Sequence, residues 1–318
     1  MNKKIFISVV IITYNKIDYF KSVMMNLENQ TKLSDIEYIV INDGSTDDTK
    51  EYLESYNGSL NFKYLSLPDN LGSSIARNNG IKLAKGEFIL FIDNDIILAP
   101  DYLEKLSSSL KKFPNRVHSG RLRLIPLAVV PSIIQEIHNT GKVSMERLIK
   151  NSYLDAIYGT LQKVYSHSVD VDIACWWGIV SGGNICFPRT ILEEAGFFDE
   201  TFKSWGPEDI DLCYRAFKKH YLLKYNSQCR LFHLDHERNN KEINNTMVKH
   251  GLQLYKKYDK SKEILSYLNF FNGVISFQEF NNVCSEFLEI DSNIKLNDYY
   301  LSLEFYIKKN QIINWKKK

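Results

Sequence analysis

Apolar and polar positions alternate in blocks over the first hundred residues. Ile7 to Ile12 is a β-rich apolar run, whereas Asp18 to Asn29 spaces Tyr19, Phe20, Val23, Met24 and Leu27 as one face of a helix. Tyr38 to Ile41 reads as the next strand. A helix opening at Thr46 follows, with acids in its first turn and Tyr52, Leu53 and Tyr56 on one face. Phe62 to Leu67 gives a third strand, Gly72 to Ala84 a helix, and Phe88 to Ile92 a fourth strand. Short strands joined by single helices pair in parallel through right-handed crossovers. The pattern therefore predicts an α/β fold with a doubly wound, mainly parallel sheet and flanking helices. Such sheets take ligands at the carboxyl ends of their strands. The polar clusters Thr13-Tyr14-Asn15, Asn42-Asp43-Gly44-Ser45 and Asp93-Asn94-Asp95 all fall there.

The pattern then changes. Residues 128–168 lean towards helix and read as an insertion over the ligand-binding edge. Regular structure returns with Gly182-Gly183-Asn184-Ile185-Cys186-Phe187-Pro188 and a Pro-started helix from Arg189 to Ala195. An acidic helix over 207–219 comes next, then two short strands near Leu222 to Tyr225 and Arg230 to His233. After about Asn240 the chain reads as a helical extension rich in Lys, Asn, Tyr and Phe.

Composition narrows the options. The 318 residues suffice for one large α/β domain or two smaller ones, and a net charge of +2 gives no nucleic-acid footprint. The five cysteines are scattered without a Cys-x-x-Cys pair, as expected of buried, reduced thiols in a cytosolic protein. No apolar run is long enough to span a membrane, and Ile5 to Ile12 leads straight into a strand-end cluster. The expected location is the cytoplasm.

Two acidic clusters carry the chemistry. In Asp93-Asn94-Asp95 two carboxylates lie on the same side of an extended turn, suited to a hard divalent cation; acids after a strand also serve simply as turn formers. In Trp205-Gly206-Pro207-Glu208-Asp209 two acids sit at the mouth of an amphipathic helix behind a bendable loop, where a general base would be needed. The same pattern also describes an ordinary acidic helix start. Asp43 sits at a strand end, where a nucleotide base or ribose would lie. Arg77, inside a helix, is either a solvated cation or a partner for Asp43 or a diphosphate. His233 and His236, three apart after a strand, suggest metal ligation, and mixed carboxylate and imidazole donors suit Mn²⁺ better than Mg²⁺. Trp205, and with less weight Trp176 and Trp177, read as sugar-stacking aromatics beside glycines, or else as core.

In order, Val10-Ile11-Ile12-Thr13-Tyr14-Asn15, Ile41-Asn42-Asp43-Gly44-Ser45, Ala76-Arg77-Asn78-Asn79-Gly80 and Asp93-Asn94-Asp95 resemble the nucleotide-sugar half of family 2 glycosyltransferases with the GT-A fold. From Gly182 to about Asn244 the chain resembles the carboxy-terminal catalytic region of β-galactosyltransferases, polypeptide N-acetylgalactosaminyltransferases and chondroitin-polymerase-like enzymes. There Pro207 replaces the second glycine of the usual Trp-Gly-Gly-Glu-Asp form. The resemblance divides the chain into a GT-A domain over 1–240 and a helical extension over 241–318. Within that domain it sets a nucleotide-sugar half over 1–105, an acceptor-side variable region over 106–180 and a catalytic region over 181–240.

The resemblance also implies roles. Thr13, Asp43 and Arg77 hold the uridine, flanked by Tyr14, Asn15, Asn94 and Gly183, with Asp93 near the ribose. Asp95, His236 and His233 hold Mn²⁺ or Mg²⁺. Asp209 is the base, and Glu208, Trp205 and Trp177 orient the acceptor. The expected reaction is inverting, metal-dependent transfer of a hexose or N-acetylhexosamine from a UDP-sugar to a saccharide. Retaining N-acetylgalactosaminyltransferases share part of the pattern. A peptide or protein side chain is the alternative acceptor. A lipid-linked acceptor would place the enzyme at the inner membrane face, where the Lys316 to Lys318 tail would add a little attraction. A nucleotidyltransferase would show a Gly-rich phosphate loop where Thr13-Tyr14-Asn15-Lys16 stands. A non-catalytic sugar-nucleotide-binding module would have no need of Asp209. The oligomeric state is not legible in the sequence.

Overall fold

The computed structural model describes residues 5–31, 33–154, 158–159, 161, 172–203, 206–237 and 240–289. Four strands, β1 (Ile7–Thr13), β2 (Ile36–Asn42), β3 (Phe62–Ser66) and β4 (Phe88–Asp93), lie parallel in the order β3-β2-β1-β4. Helices α1 (Ile17–Glu28), α2 (Thr49–Glu54) and α3 (Ser73–Leu83) connect them. β1 and β4 are apolar along nearly their whole length because both faces are covered. The register sets Thr13 opposite Asn42, Asn42 opposite Ser66, and Ile12 opposite Asp93, so the polar strand ends line one edge.

The second half of the sheet is mixed. β5 (Ile96–Leu98), α4 (Tyr102–Lys112) and β6 (Val117–Ile125) follow β4, and the sequence pattern did not reveal them. After α5 (Val130–Thr140) and α6 (Met145–Lys150) come β7 (Ile185–Pro188), α7 (Arg189–Ala195), α8 (Glu208–Lys218) and β8 (Leu223–Leu234). The eight-stranded order is β3-β2-β1-β4-β7-β6-β8-β5, with β7 antiparallel to β4 and β6, β8 parallel to β6, and β5 antiparallel to β8. β8 replaces the two short strands expected near 222–225 and 230–233. It is one strand of 12 residues, and its register with β6 shifts after Gly120. The second expected helix begins at Thr49 rather than Thr46, because Asp47 turns back to accept from the Thr49 backbone and hydroxyl.

Three further helices, α9 (Asn240–Lys257), α10 (Lys262–Phe271) and α11 (Phe277–Leu288), close the described chain and pack against α8 and residues 174–178. Asn281 of α11 accepts hydrogen bonds from the Ala174 and Cys175 backbones. Tyr214 of α8 bonds Ser261 and Glu263. All five cysteines are buried and unpaired with one another. Among the described residues no helix is long and apolar enough to cross a membrane.

Candidate active site

The strand ends are stitched together by side chains. Asn15 and Lys16 both adopt left-handed backbone conformations, uncommon for residues other than glycine. They are held there because the Asn15 backbone donates to Ser45 Oγ (2.8 Å) while Asn15 Oδ1 accepts from the Thr46 backbone (2.8 Å). Ile17 donates to Asp47 in the same way. Asn94 donates to Thr13 Oγ1 and to the Asn15 carbonyl, both at 3.1 Å, which ties the acidic turn to the end of β1. Tyr14 is left exposed at the rim. Strained backbone that its surroundings over-determine is characteristic of ligand-binding edges.

Asp43 is buried, and its two oxygens accept separately from the Leu71 and Gly72 backbones at 2.9 Å each. Burial pushes its carboxyl up, and those two amides pull it part of the way back. Arg77 does not pair with Asp43. Its guanidinium, buried on α3, donates instead to Asp93 Oδ1 (3.0 Å) and Glu208 Oε1 (2.8 Å). The reason is positional: the second turn of α3 faces the end of β4 and the start of α8, while Asp43 is already held by the loop before α3.

The metal corner forms because β5 pairs antiparallel with β8, setting Ile96 opposite His233. Asp95 Oδ2 then lies 3.5 Å from His233 Nε2, 3.4 Å from His236 Nε2 and 3.5 Å from Lys16 Nζ. One ligand atom from each of Asp95, His233 and His236 falls within 4.8 Å of the others. Burial raises the Asp95 carboxyl, but His233, Lys16 and His236 outweigh it and hold the group well below the usual carboxylate range. One buried carboxylate oxygen facing two imidazole nitrogens fits a divalent cation of the Mn²⁺ type.

The second corner is built around α8. Glu208 Oε1 accepts from Arg77 and from Ser73 Oγ (2.8 Å), while its other oxygen is buried with no hydrogen-bond partner among the described residues. Asp209 Oδ2 accepts from the Gly182 backbone (2.7 Å) and Oδ1 from the Ile210 backbone (2.8 Å). Gly183 presses so closely on Asp93 that a Cβ would stand 2.6 Å from Asp93 Oδ2. The Gly182-Gly183 turn thus joins the donor-side acid to the base-side acid. Burial first, and then the Glu208 charge, raise the Asp209 carboxyl to about 7 against the pull of Arg77.

Trp177 does not line this cleft. It is fully buried, with ring centroids of Tyr214, Tyr267 and Phe280 at 4.8, 5.3 and 5.4 Å, so it is a core anchor and offers no face to a sugar. Trp205 lies outside the described residues. The remaining sequence-predicted residues do gather: Thr13, Asn15, Asp93, Asn94 and Gly183 adjoin Asp95, His233 and His236, with Glu208 and Asp209 reached through Arg77.

Sequence reading missed the supports. Asp211, fully buried on α8, accepts from Lys257 Nζ (2.6 Å), Tyr258 Oη (2.7 Å) and Arg215 Nε (3.0 Å). Lys257 also reaches Asp199 at 2.6 Å. His250 of α9 sits directly against Gly206, where any Cβ would collide with its ring. Asn184 exchanges hydrogen bonds with the Gly120 backbone. Only the Asp211/Arg215 spacing was visible as a helical i,i+4 pair; the others depend on contacts between distant segments.

A parallel half-sheet continued by a mixed half, flanked by helices and with the Asp95, His233 and His236 group at its edge, is the arrangement of a GT-A fold. The chain belongs to glycosyl transferase family 2, whose family model matches residues 8–194. It is 29% identical over 223 residues to a validoxylamine A glucosyltransferase of Streptomyces hygroscopicus subsp. jinggangensis (strain 5008), covering 66% of this chain and 50% of that protein. It is 26% identical over 236 residues to a chondroitin synthase of Escherichia coli, covering 67% of this chain and 32% of the other. The chain thus matches half or less of these relatives' own lengths. Among solved structures, that of GalNAc-T7 with UDP, GalNAc and Mn²⁺ shares the fold at a TM-score of 0.56 and 15% identity, covering 90% of this chain and 55% of that one.

Proposed function

We propose that the chain transfers a hexose or N-acetylhexosamine from a UDP-sugar to a saccharide acceptor with inversion, Asp209 acting as general base. The observation that carries this reading is the opposite tuning of two aspartates in one cleft. Asp95 is held ionised, as a metal ligand must be, while Asp209 is held ready to gain a proton near neutral pH. A carboxylate in water is a weak base; one raised to about 7 is matched to taking a proton from a hydroxyl at physiological pH.

Asp95, His233 and His236 would hold a divalent cation, which when bound neutralises the charge gathering on the departing diphosphate. Thr13, Asn15 and Asp43 frame the nucleotide, and Asn94 fixes the acidic turn against them. Asp93, steadied by Arg77 and pressed by Gly183, faces the ribose and sugar. Each Asp209 oxygen accepts one backbone N–H and keeps a further lone pair for the acceptor proton. The unpartnered oxygen of Glu208 is suited to accept from a second acceptor hydroxyl. UDP and Mn²⁺ in the GalNAc-T7 structure support a UDP-sugar donor, and relatives named as a glucosyltransferase and a chondroitin synthase support sugar transfer.

The test is UDP release from a panel of UDP-sugars with Mn²⁺ and no acceptor, by wild type and Asp209→Asn. Metal-dependent release from one donor, lost in Asp209→Asn, is the expected result. Silence across the panel, together with no UDP binding in the presence of Mn²⁺, would overturn the reading.

A further inference from the structure

The β6–β8 pair carries an arrangement that the donor and base corners do not use. Its register sets Arg121 directly opposite Arg230, and residues directly opposite on neighbouring strands share a face. The pairing depends on an irregularity: Gly120 pairs with Asn226 and Arg121 with Arg230, so residues 227–229 bulge out of β8. Gly120 makes the bulge possible, since a Cβ there would press on the Cys229 carbonyl. Bulges beside functional sites serve to re-aim side chains, and this one aims a second arginine at the first.

Taken alone the result is unfavourable. Like charges placed opposite each other repel. Both Nε atoms are buried without a hydrogen-bond partner, and among the described residues neither guanidinium meets a carboxylate. Arg123, two residues further along β6 and so on the same face, donates to Ser152 Oγ and to the Ser152 and Ile149 carbonyls. Burial and the nearby Arg121 charge both lower its affinity for its proton. Two partly buried guanidiniums facing each other with free forks match an oxyanion, which takes bidentate hydrogen bonds from arginine.

We infer that Arg121 and Arg230 form a binding site for an anionic group on the acceptor, a carboxylate or a phosphodiester. The donor's diphosphate is not the occupant. Side chains alternate along a strand, so Arg230 and His233, three residues apart, lie on opposite faces of β8. The metal corner is therefore on the other side of the strand pair. The arginine face instead adjoins the segment carrying Ile149 and Ser152, in the acceptor-side region. The site lies one residue along β6 from the Gly120–Asn184 lock that positions the Gly182-Gly183 turn. The acceptor assignment rests on the transferase reading above; the anion site does not.

The first measurement is thermal unfolding of the full chain in chloride and with millimolar sulfate at constant ionic strength, for wild type, Arg121→Gln, Arg230→Gln and Arg121→Lys. Sulfate is expected to raise the wild-type midpoint, with the response lost in both glutamine variants and partly kept in the lysine variant. A wild type indifferent to sulfate, or glutamine variants that respond as it does, overturns the site. The second measurement compares matched oligosaccharides bearing a uronate, its carboxyl-reduced neutral counterpart, or a phosphodiester, with acceptor-free UDP release as control. The glutamine variants are expected to raise KM for the anionic acceptor about tenfold and to leave kcat and acceptor-free release unchanged. Which anionic acceptor wins identifies the group, and preference for the neutral sugar overturns the acceptor assignment. Loss of acceptor-free release in the wild type would instead indict the transferase reading, while the sulfate response still reports the site.

Discussion

The corner around Asp95 and the corner around Asp209 are built on the same residue type, yet they push it in opposite directions. Around Asp95 three basic side chains converge on one oxygen, and attraction outweighs burial. Around Asp209 the nearby cation among the described residues, Arg77, already serves Asp93 and Glu208, so burial and the neighbouring Glu208 charge prevail. The difference shows that the spare charge on a shared partner, rather than the acid itself, decides which way each aspartate is pushed.

The sharpest way to break the comparison is to remove the base. Asp209→Asn is expected to lower kcat by about 10²–10⁴, the usual contribution of a positioned general base, with Kd for UDP and Mn²⁺ little changed; a joint loss of binding would merge the two corners into one. Next in size is Gly206→Ala, whose methyl would collide with His250 and shift the loop before Glu208. Because misplacement of about 1 Å costs on the order of 10²-fold, kcat should fall by that factor. His250→Ala in the same chain should restore much of it, measured as a double-mutant cycle.

Loss of one imidazole, in His236→Ala, is expected to weaken metal activation at least by the about 10–100-fold that even an outer-shell partner contributes, read from Mn²⁺ titration of UDP release. The smallest effect concerns stability. Because the folded Asp209 carboxyl is raised, the folded state binds its proton more tightly than the unfolded chain. Its contribution is therefore most favourable below the unfolded value of 3.8 and is lost as pH rises through about 7. Asp209→Asn should therefore gain in Tm on wild type as pH rises from 5 to 8, most steeply below pH 7. Over the same range wild-type kcat should rise as Asp209 loses its proton, whereas a flat profile would remove it as the base.

What was legible in the sequence follows the same division. β1 to β4 and their helices were readable because each is specified locally, by an apolar run, a helical face and polar residues at the strand end. The grouping of Asp95, His233 and His236 was readable because carboxylate and imidazole side chains at strand ends announce their shared chemistry by type. β5 and β6 escaped because one is three residues long and the other carries two arginines among its apolar positions. Trp177 was placed beside a sugar because adjacent glycines look the same in a loop and in a tight core. The partners of Arg77 and Asp211, and the contact of His250 with Gly206, join segments far apart in the chain, and no periodicity encodes them.

The buried bonds from Asp211 to Lys257 and Tyr258, and from Asn281 to the turn before Trp177, bear on how far this fold can be cut and recombined. Similarity to the family model stops at residue 194, ahead of α8 itself, yet the helix that carries the acid pair is moored to elements as distant as α11. The limit of the family model is therefore not the limit of the packed unit. A chimera exchanging only the family-matched segment would part Asp209 from the Gly182 backbone and Asn281 from the turn before Trp177. One exchanging residues 172–289 as a block would carry lever and anchor together.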